Sequence, residues 1–181
     1  MKSTIDIEFL REEAAKQNPA VTIFPADLTK FYFEERVSMN CFYCKNYNLN
    51  WKCPPRIPKL DYPKLFQEFQ HGAFVKIELP FCKETFSEIR SRTTNELHQV
   101  LLALEKVLWD HDCPMALSFL GGSCKLCKGG CGTERCNNPY LARVPLEATG
   151  VNVIKTVEEQ TGLHLTFPPK DTLTRVGLLL W

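Results

Sequence analysis

Four cysteines stand in one short run, GGSCKLCKGGCGTERCNNP, at Cys124, Cys127, Cys131 and Cys136. Their spacing, C-x2-C-x3-C-x4-C, constrains the chain more than any other stretch. A C-x2-C pair folds into a tight turn that aims both sulfurs the same way, and thiolates that serve one centre must converge on it. Gly121, Gly122, Gly129, Gly130 and Gly132 let the backbone take positive φ and wrap closely. The run therefore reads as a loop able to enclose one metal or one cluster.

The spacing also bears on which metal. Structural zinc usually takes two C-x2-C knuckles set a dozen or more residues apart. Tight runs such as C-x2-C-x2-C-x3-C-P belong to [4Fe–4S] loops. Here both later gaps are one residue longer, and Pro139 follows Cys136 by three. The reading favours one or two [4Fe–4S] clusters, with zinc as the alternative. Lys125, Lys128, Arg135 and Arg143 flank the run and are expected to offset its negative charge, Arg143 above all. Asn and Pro139 in NNPY read as a helix start whose positive end would point back at the cluster.

A second group precedes it: Cys41, Cys44 and Cys53, the last followed by Pro54 and Pro55. Three thiols are one short of a tetrahedral set. A fourth ligand from Cys82, Cys113, His71 or His111, a position left open for substrate, or exchange of ligands between the groups would each complete it. Phe42, Tyr43, Tyr47 and Trp51 surround this group, either to screen a cluster from water or as plain core packing.

The rest of the chain is ordinary globular protein. Its 181 residues are 44% hydrophobic and 24% charged, with a net charge of +1, which argues against disorder and against nucleic acid as the main partner. MKSTIDIEFLREEAAKQ has no apolar core, and its acids argue against a transit peptide. No run is long enough to span a membrane. These features point to a cytoplasmic protein without a membrane partner, where nine cysteines more often bind metal than form disulfides.

The pattern predicts one domain over residues 1–181, of α/β or α+β class. A mixed β-sheet carries helices mainly on one side, with the cysteine loops at strand ends. Helices are expected in TIDIEFLREEAAKQ, in YPKLFQEFQ and, from Ile89, Leu97, Leu101, Leu104 and Leu108 at helical spacing, between Lys83 and Asp110. Strands are expected at VTIF, LTKFYFEERV, GAFVKIELP, PMALSFL, VNVIK and LTRVGLLLW. A turn at PLEAT closed by Gly150 and a helix at TVEEQTG complete the reading.

Taken together, CFYCKNYNLNWKCPP and GGSCKLCKGGCGTERCNNPYLARVPLEATGVNV resemble an uncharacterised family of predicted metal-binding proteins. Its members share C-x2-C…CPP, a Gly-x-Cys-x-Leu-Cys loop, and Cys-x-x-Pro-x-x-Ala-Arg…Glu-Ala-x-Gly. Those motifs map onto Cys41, Cys44 and Cys53, then Cys124, Cys127, Cys131 and Cys136, then Ala142, Arg143, Glu147, Ala148 and Gly150, over roughly residues 37 to 181. The chain departs from the pattern in the spacing between Cys127 and Cys136, at Asn137, and at Pro145. The resemblance implies metal and no particular reaction.

Nothing else in the chain spells out chemistry. There is no P-loop and no dinucleotide fingerprint. His71, His98, His111 and His164 are scattered, with His98 read as surface or core filler, and the HDC triplet at His111–Cys113 has no partner constellation. The functional expectation is a cytosolic iron–sulfur protein with a redox or electron-transfer role and a redox or metal-accepting protein partner. The alternatives are a zinc-stabilised interaction module and a metal or cluster carrier.

Overall fold

The computed structural model describes residues 5–181; Thr4, the first residue of the expected N-terminal helix, and the start of the segment read for targeting lie outside the described residues. The elements are α1 (Ile7–Gln17), β1 (Val21–Pro25), α2 (Glu35–Phe42), α3 (Tyr62–Phe66), β2 (Gly72–Pro80), α4 (Phe86–Asp110), β3 (Leu117–Phe119), a 3₁₀ turn (Leu146–Thr149), α5 (Val153–Thr161) and β4 (Thr172–Leu180). The α+β class stands. Among the described residues, no helix is long and apolar enough to cross a membrane.

The strands form one sheet in the order β1-β2-β4-β3. All neighbouring pairs are antiparallel, with Gly72 opposite Leu180 and Pro80 opposite Thr172 along the central pair. The expected mixed sheet is thus antiparallel, because two strand expectations failed. VNVIK became the start of α5, capped by the Asn152 side chain on the Lys155 N–H. LTKFYFEERV gave an isolated bridge at Phe33 and then α2.

Helices cover both faces of the sheet. Ala73, Val75, Ile77 and Leu179 point to one side and pack with Leu10 and Ala14 of α1 and Leu97, Leu101, Leu104 and Leu108 of α4. Their neighbours Phe74, Val176, Leu178 and Leu180 point to the other and pack with Tyr62, Phe66, Leu146, Val151 and Val157. The expectation of helices mainly on one side fails for a simple reason. The first half of β2, Gly72 to Val75, is apolar at both parities and buried on both faces, whereas Lys76 and Glu78 follow on the second face. Phe31, Phe33 and Phe119 pack against the Phe66 ring in that second layer, and Phe74 against Phe31.

β3 leads from the sheet into the second cysteine loop. Leu120 follows it, bonding Val144 and Leu146 through its backbone. A Cβ at Gly121 would meet the Val176 carbonyl oxygen at 2.7 Å, so the loop leaves the sheet in direct contact with β4.

Candidate metal centre

Helix α2 ends at the first cysteine group. Cys41 lies in its last turn, and the Cys44 N–H bonds the Cys41 carbonyl at 3.1 Å. The chain then runs through Asn46–Asn50 to Cys53, which is buried. Two side chains of this segment fasten it to the second loop. Trp51 Nε1 donates to the Gly132 carbonyl at 2.7 Å, and Asn50 Nδ2 donates to the Cys124 carbonyl at 3.1 Å. The Arg56 guanidinium stacks on the Trp51 ring at 4.2 Å. Two cysteine groups far apart in sequence thereby share one end of the sheet.

Each group lines its own cavity. Cys124, Cys127, Cys131 and Cys136 all line a space of about 530 Å³, closed by Asn46 and Asn50 on one side and Ser91 and Asn95 of α4 on another. Cys41, Cys44 and Cys53 line an adjoining space of about 190 Å³ with Glu147 and Arg175. Asn46, Ser123 and Lys125 border both cavities. All nine cysteines are free thiols.

The loop conformation is set by glycine where nothing else fits. A Cβ at Gly132 would clash with the Arg135 carbonyl oxygen. Gly122 has a φ of +85° and sits against the Arg175 guanidinium.

Burial dominates the electrostatics of the site. It pushes the Cys53 thiol up to about 12, with Cys41, Cys44, Cys124 and Cys131 adding to the rise, so this sulfur feels both groups. Burial also raises Cys41, with Glu147 and Cys44 contributing, and raises Cys124 against an opposing hydrogen bond from Leu126. Lys125 is held below its ordinary value by burial and by Arg90, Arg175 and Lys45. Such thiols keep their protons until a cation displaces them.

The donor set suits a metal. Four sulfurs border one cavity, Asn138 Nδ2 donates to Cys127 Sγ at 3.1 Å, and Asn95 Oδ1 is buried beside them without a partner. Amide donors to sulfur are the kind of contact that tunes a thiolate-bound centre. Among the described residues, no three His, Cys, Asp or Glu side chains stand close enough to hold one metal ion, so a centre here requires the loops to draw in around it.

Against this geometry the sequence comparison can be read. The family model "Predicted metal-binding protein (DUF2284)" matches residues 26–181. The chain belongs to that family. No curated protein and no solved structure matched it. The DUF2284 match spans both cysteine groups and every element from just before α2 to β4, so both groups belong to the family's shared region.

Several site expectations turn out differently. Arg143 does not face the sulfurs. Its guanidinium pairs with the carboxylate of Glu105, and it also donates to the Tyr140 carbonyl at 2.9 Å. Glu105 is buried on α4 and accepts from Ser118 as well. No helix begins at Pro139: residues Asn138 to Ala142 make a single turn closed on the Asn138 carbonyl. His98 is in the core, as one of its two readings had it, but it also carries a specific contact. It is fully buried and donates from Nε2 to the Leu141 carbonyl at 2.8 Å, leaving Nδ1 without a partner among the described residues. Together, His98 and Glu105 clamp the exit of the second cysteine loop onto α4.

None of the four residues considered as a fourth ligand for the first group lines its cavity. Cys82 bonds Thr85, Cys113 packs against the core, His71 stacks near Trp181 and His111 against Phe9. Glu147 and Arg175 do line it, and neither was singled out for a role. Arg175 had a signal in the sequence: a lone charge inside the buried run LTRVGLLLW.

Proposed function

We propose that this DUF2284 protein is an iron–sulfur protein. Cys124, Cys127, Cys131 and Cys136 hold one [4Fe–4S] cluster, and Cys41, Cys44 and Cys53 hold a second metal centre beside it. The observation that carries the reading is the pairing of two cysteine-lined cavities with shared borders at Asn46, Ser123 and Lys125. The tight C-x2-C-x3-C-x4-C spacing of the larger site is what favours a cluster over zinc. Bound there, a cluster supplies one-electron redox chemistry.

The protein's own residues set the terms of that chemistry. Asn138 donates to Cys127 sulfur, and the Trp51–Gly132 and Asn50–Cys124 bonds hold the loops together. Two adjoining centres suit passage of electrons to a protein partner in the cytoplasm. The surface beside them suits docking: Met39, Phe42, Tyr43 and Leu49 near the first group are exposed, and Tyr140, just past the second, is 90% exposed. Exposed aromatic and Met side chains are enriched at protein interfaces.

The test is a pair of variants reconstituted anaerobically. Cys127→Ser should lose most of the iron of the larger site, and Cys41, Cys44 and Cys53 changed together to Ala should lose only part of the total. Full iron retention in Cys127→Ser would contradict the assignment.

A further inference from the structure

The smaller cavity contains an acid whose carboxylate faces Arg175 and takes backbone hydrogen bonds from the Gly122 N–H and from its own N–H. Glu147 sits in the 3₁₀ turn and lines the space with Cys41, Cys44 and Cys53. The residue as a whole is partly exposed, but its Oε2 is sealed from solvent and has no hydrogen-bond partner among the described residues. Arg175 lines the same cavity, and its Nε is likewise buried and unpartnered. Two opposite charges thus border one cavity and attract each other, yet each keeps one buried orphaned atom, a cost that a bound partner would remove.

We propose that Glu147 supplies the fourth, oxygen donor to a metal centre on Cys41, Cys44 and Cys53. The inference rests on the reading that this cysteine group binds metal. Three thiolates and one carboxylate make a complete tetrahedral set, and carboxylate oxygen is an accepted donor beside Cys sulfur. The charges agree. Four anionic donors around a divalent ion or a doubly charged cluster leave a net charge of about −2. Arg90, Lys125 and Arg175 line the same space and face that excess. The position of Glu147 is well fixed for such a role: the turn that carries it is closed by Gly150 at a φ of +91° and packs its Leu146 into the core. The Cys41 sulfur already lies 4.0 Å from the Glu147 carbonyl oxygen.

The experiment is anaerobic titration of the full chain with cobalt(II) alone, read by thiolate-to-cobalt absorption. Wild type, Glu147→Gln, Glu147→Cys and Cys53→Ser are compared. Wild type should bind two ions per chain. Glu147→Gln should weaken by tenfold or more the same site that Cys53→Ser loses, and Glu147→Cys should restore it with stronger thiolate absorption. Two tight sites in Glu147→Gln, with one lost in Cys53→Ser, would overturn the role of Glu147 and leave the cysteine site standing. A site that Glu147→Cys fails to restore would make Glu147 structural, and equally overturn the proposal. Wild-type titration of Cys53→Ser would remove the first-group site itself.

Discussion

The indole N–H of Trp51 donates to the backbone carbonyl of Gly132 at 2.7 Å, joining the loop of Cys53 to the loop of Cys131. The bond makes the two cysteine groups one structural unit, so a change in either loop should be felt at both centres.

Trp51→Phe keeps a ring beneath Arg56 and removes only the donor. The expected loss of stability is about 1 kcal/mol, the worth of one hydrogen bond. Iron release to a chelator should be faster from this variant than from wild type. Unchanged release would mean that the loops hold their centres independently.

The Glu105–Arg143 pair is buried, so breaking it from one side leaves an uncompensated charge. Arg143→Ala should destabilise the fold by about 3–5 kcal/mol, whereas Glu105→Leu combined with Arg143→Met should recover most of that loss. Denaturant midpoints of the three proteins decide it. A loss well under 1 kcal/mol for Arg143→Ala would contradict the clamp.

Much of this architecture was legible in the sequence where pattern and chemistry agreed. Helix α4 followed from leucines at helical spacing, β2 and β4 from their apolar runs, and the cysteine groups from their spacing, with glycine marking the second loop. The failures share a physical cause, which is that partners distant in sequence decide the outcome. The stretch LTKFYFEERV has strand-forming residues, yet Phe31 and Phe33 are consumed by the cluster around Phe66 and the rest coils into α2. NNPY carries helix-start signals, but the His98 and Glu105 contacts pin its continuation as a single turn. Arg143 looked like a cluster counter-charge because it stands near Cys136 in sequence, while its true partner lies on α4.

His98 gives the protein an acid weakness. Burial holds its imidazole below the ordinary value, Arg143 lowers it further, and the Leu141 carbonyl and Glu105 oppose the shift. The folded state keeps this ring neutral, while the unfolded chain takes up a proton below about pH 6.5. Stability from this residue is therefore full above that pH and lost as pH falls toward the depressed folded value. Denaturant titrations between pH 7 and 5 should show a shallower decline in His98→Gln than in wild type. Identical slopes would assign the acid sensitivity to other groups.

Phe66 is the centre of the second layer, fully buried among Phe31, Phe33 and Phe119. Phe66→Ala should cost about 3–5 kcal/mol, visible as a lower melting temperature. A cost below 1 kcal/mol would mean the layer collapses to fill the gap.

The central claim is that the cysteine loops hold iron–sulfur centres. The most direct measurement is iron, acid-labile sulfide and zinc per chain in anaerobically purified protein, taken with its visible spectrum. The account predicts a brown protein with about four irons and matching sulfide for the larger site, rising to about eight if the smaller site also carries a cluster. Colourless protein containing zinc and no sulfide would contradict it and make the loops a zinc-held scaffold.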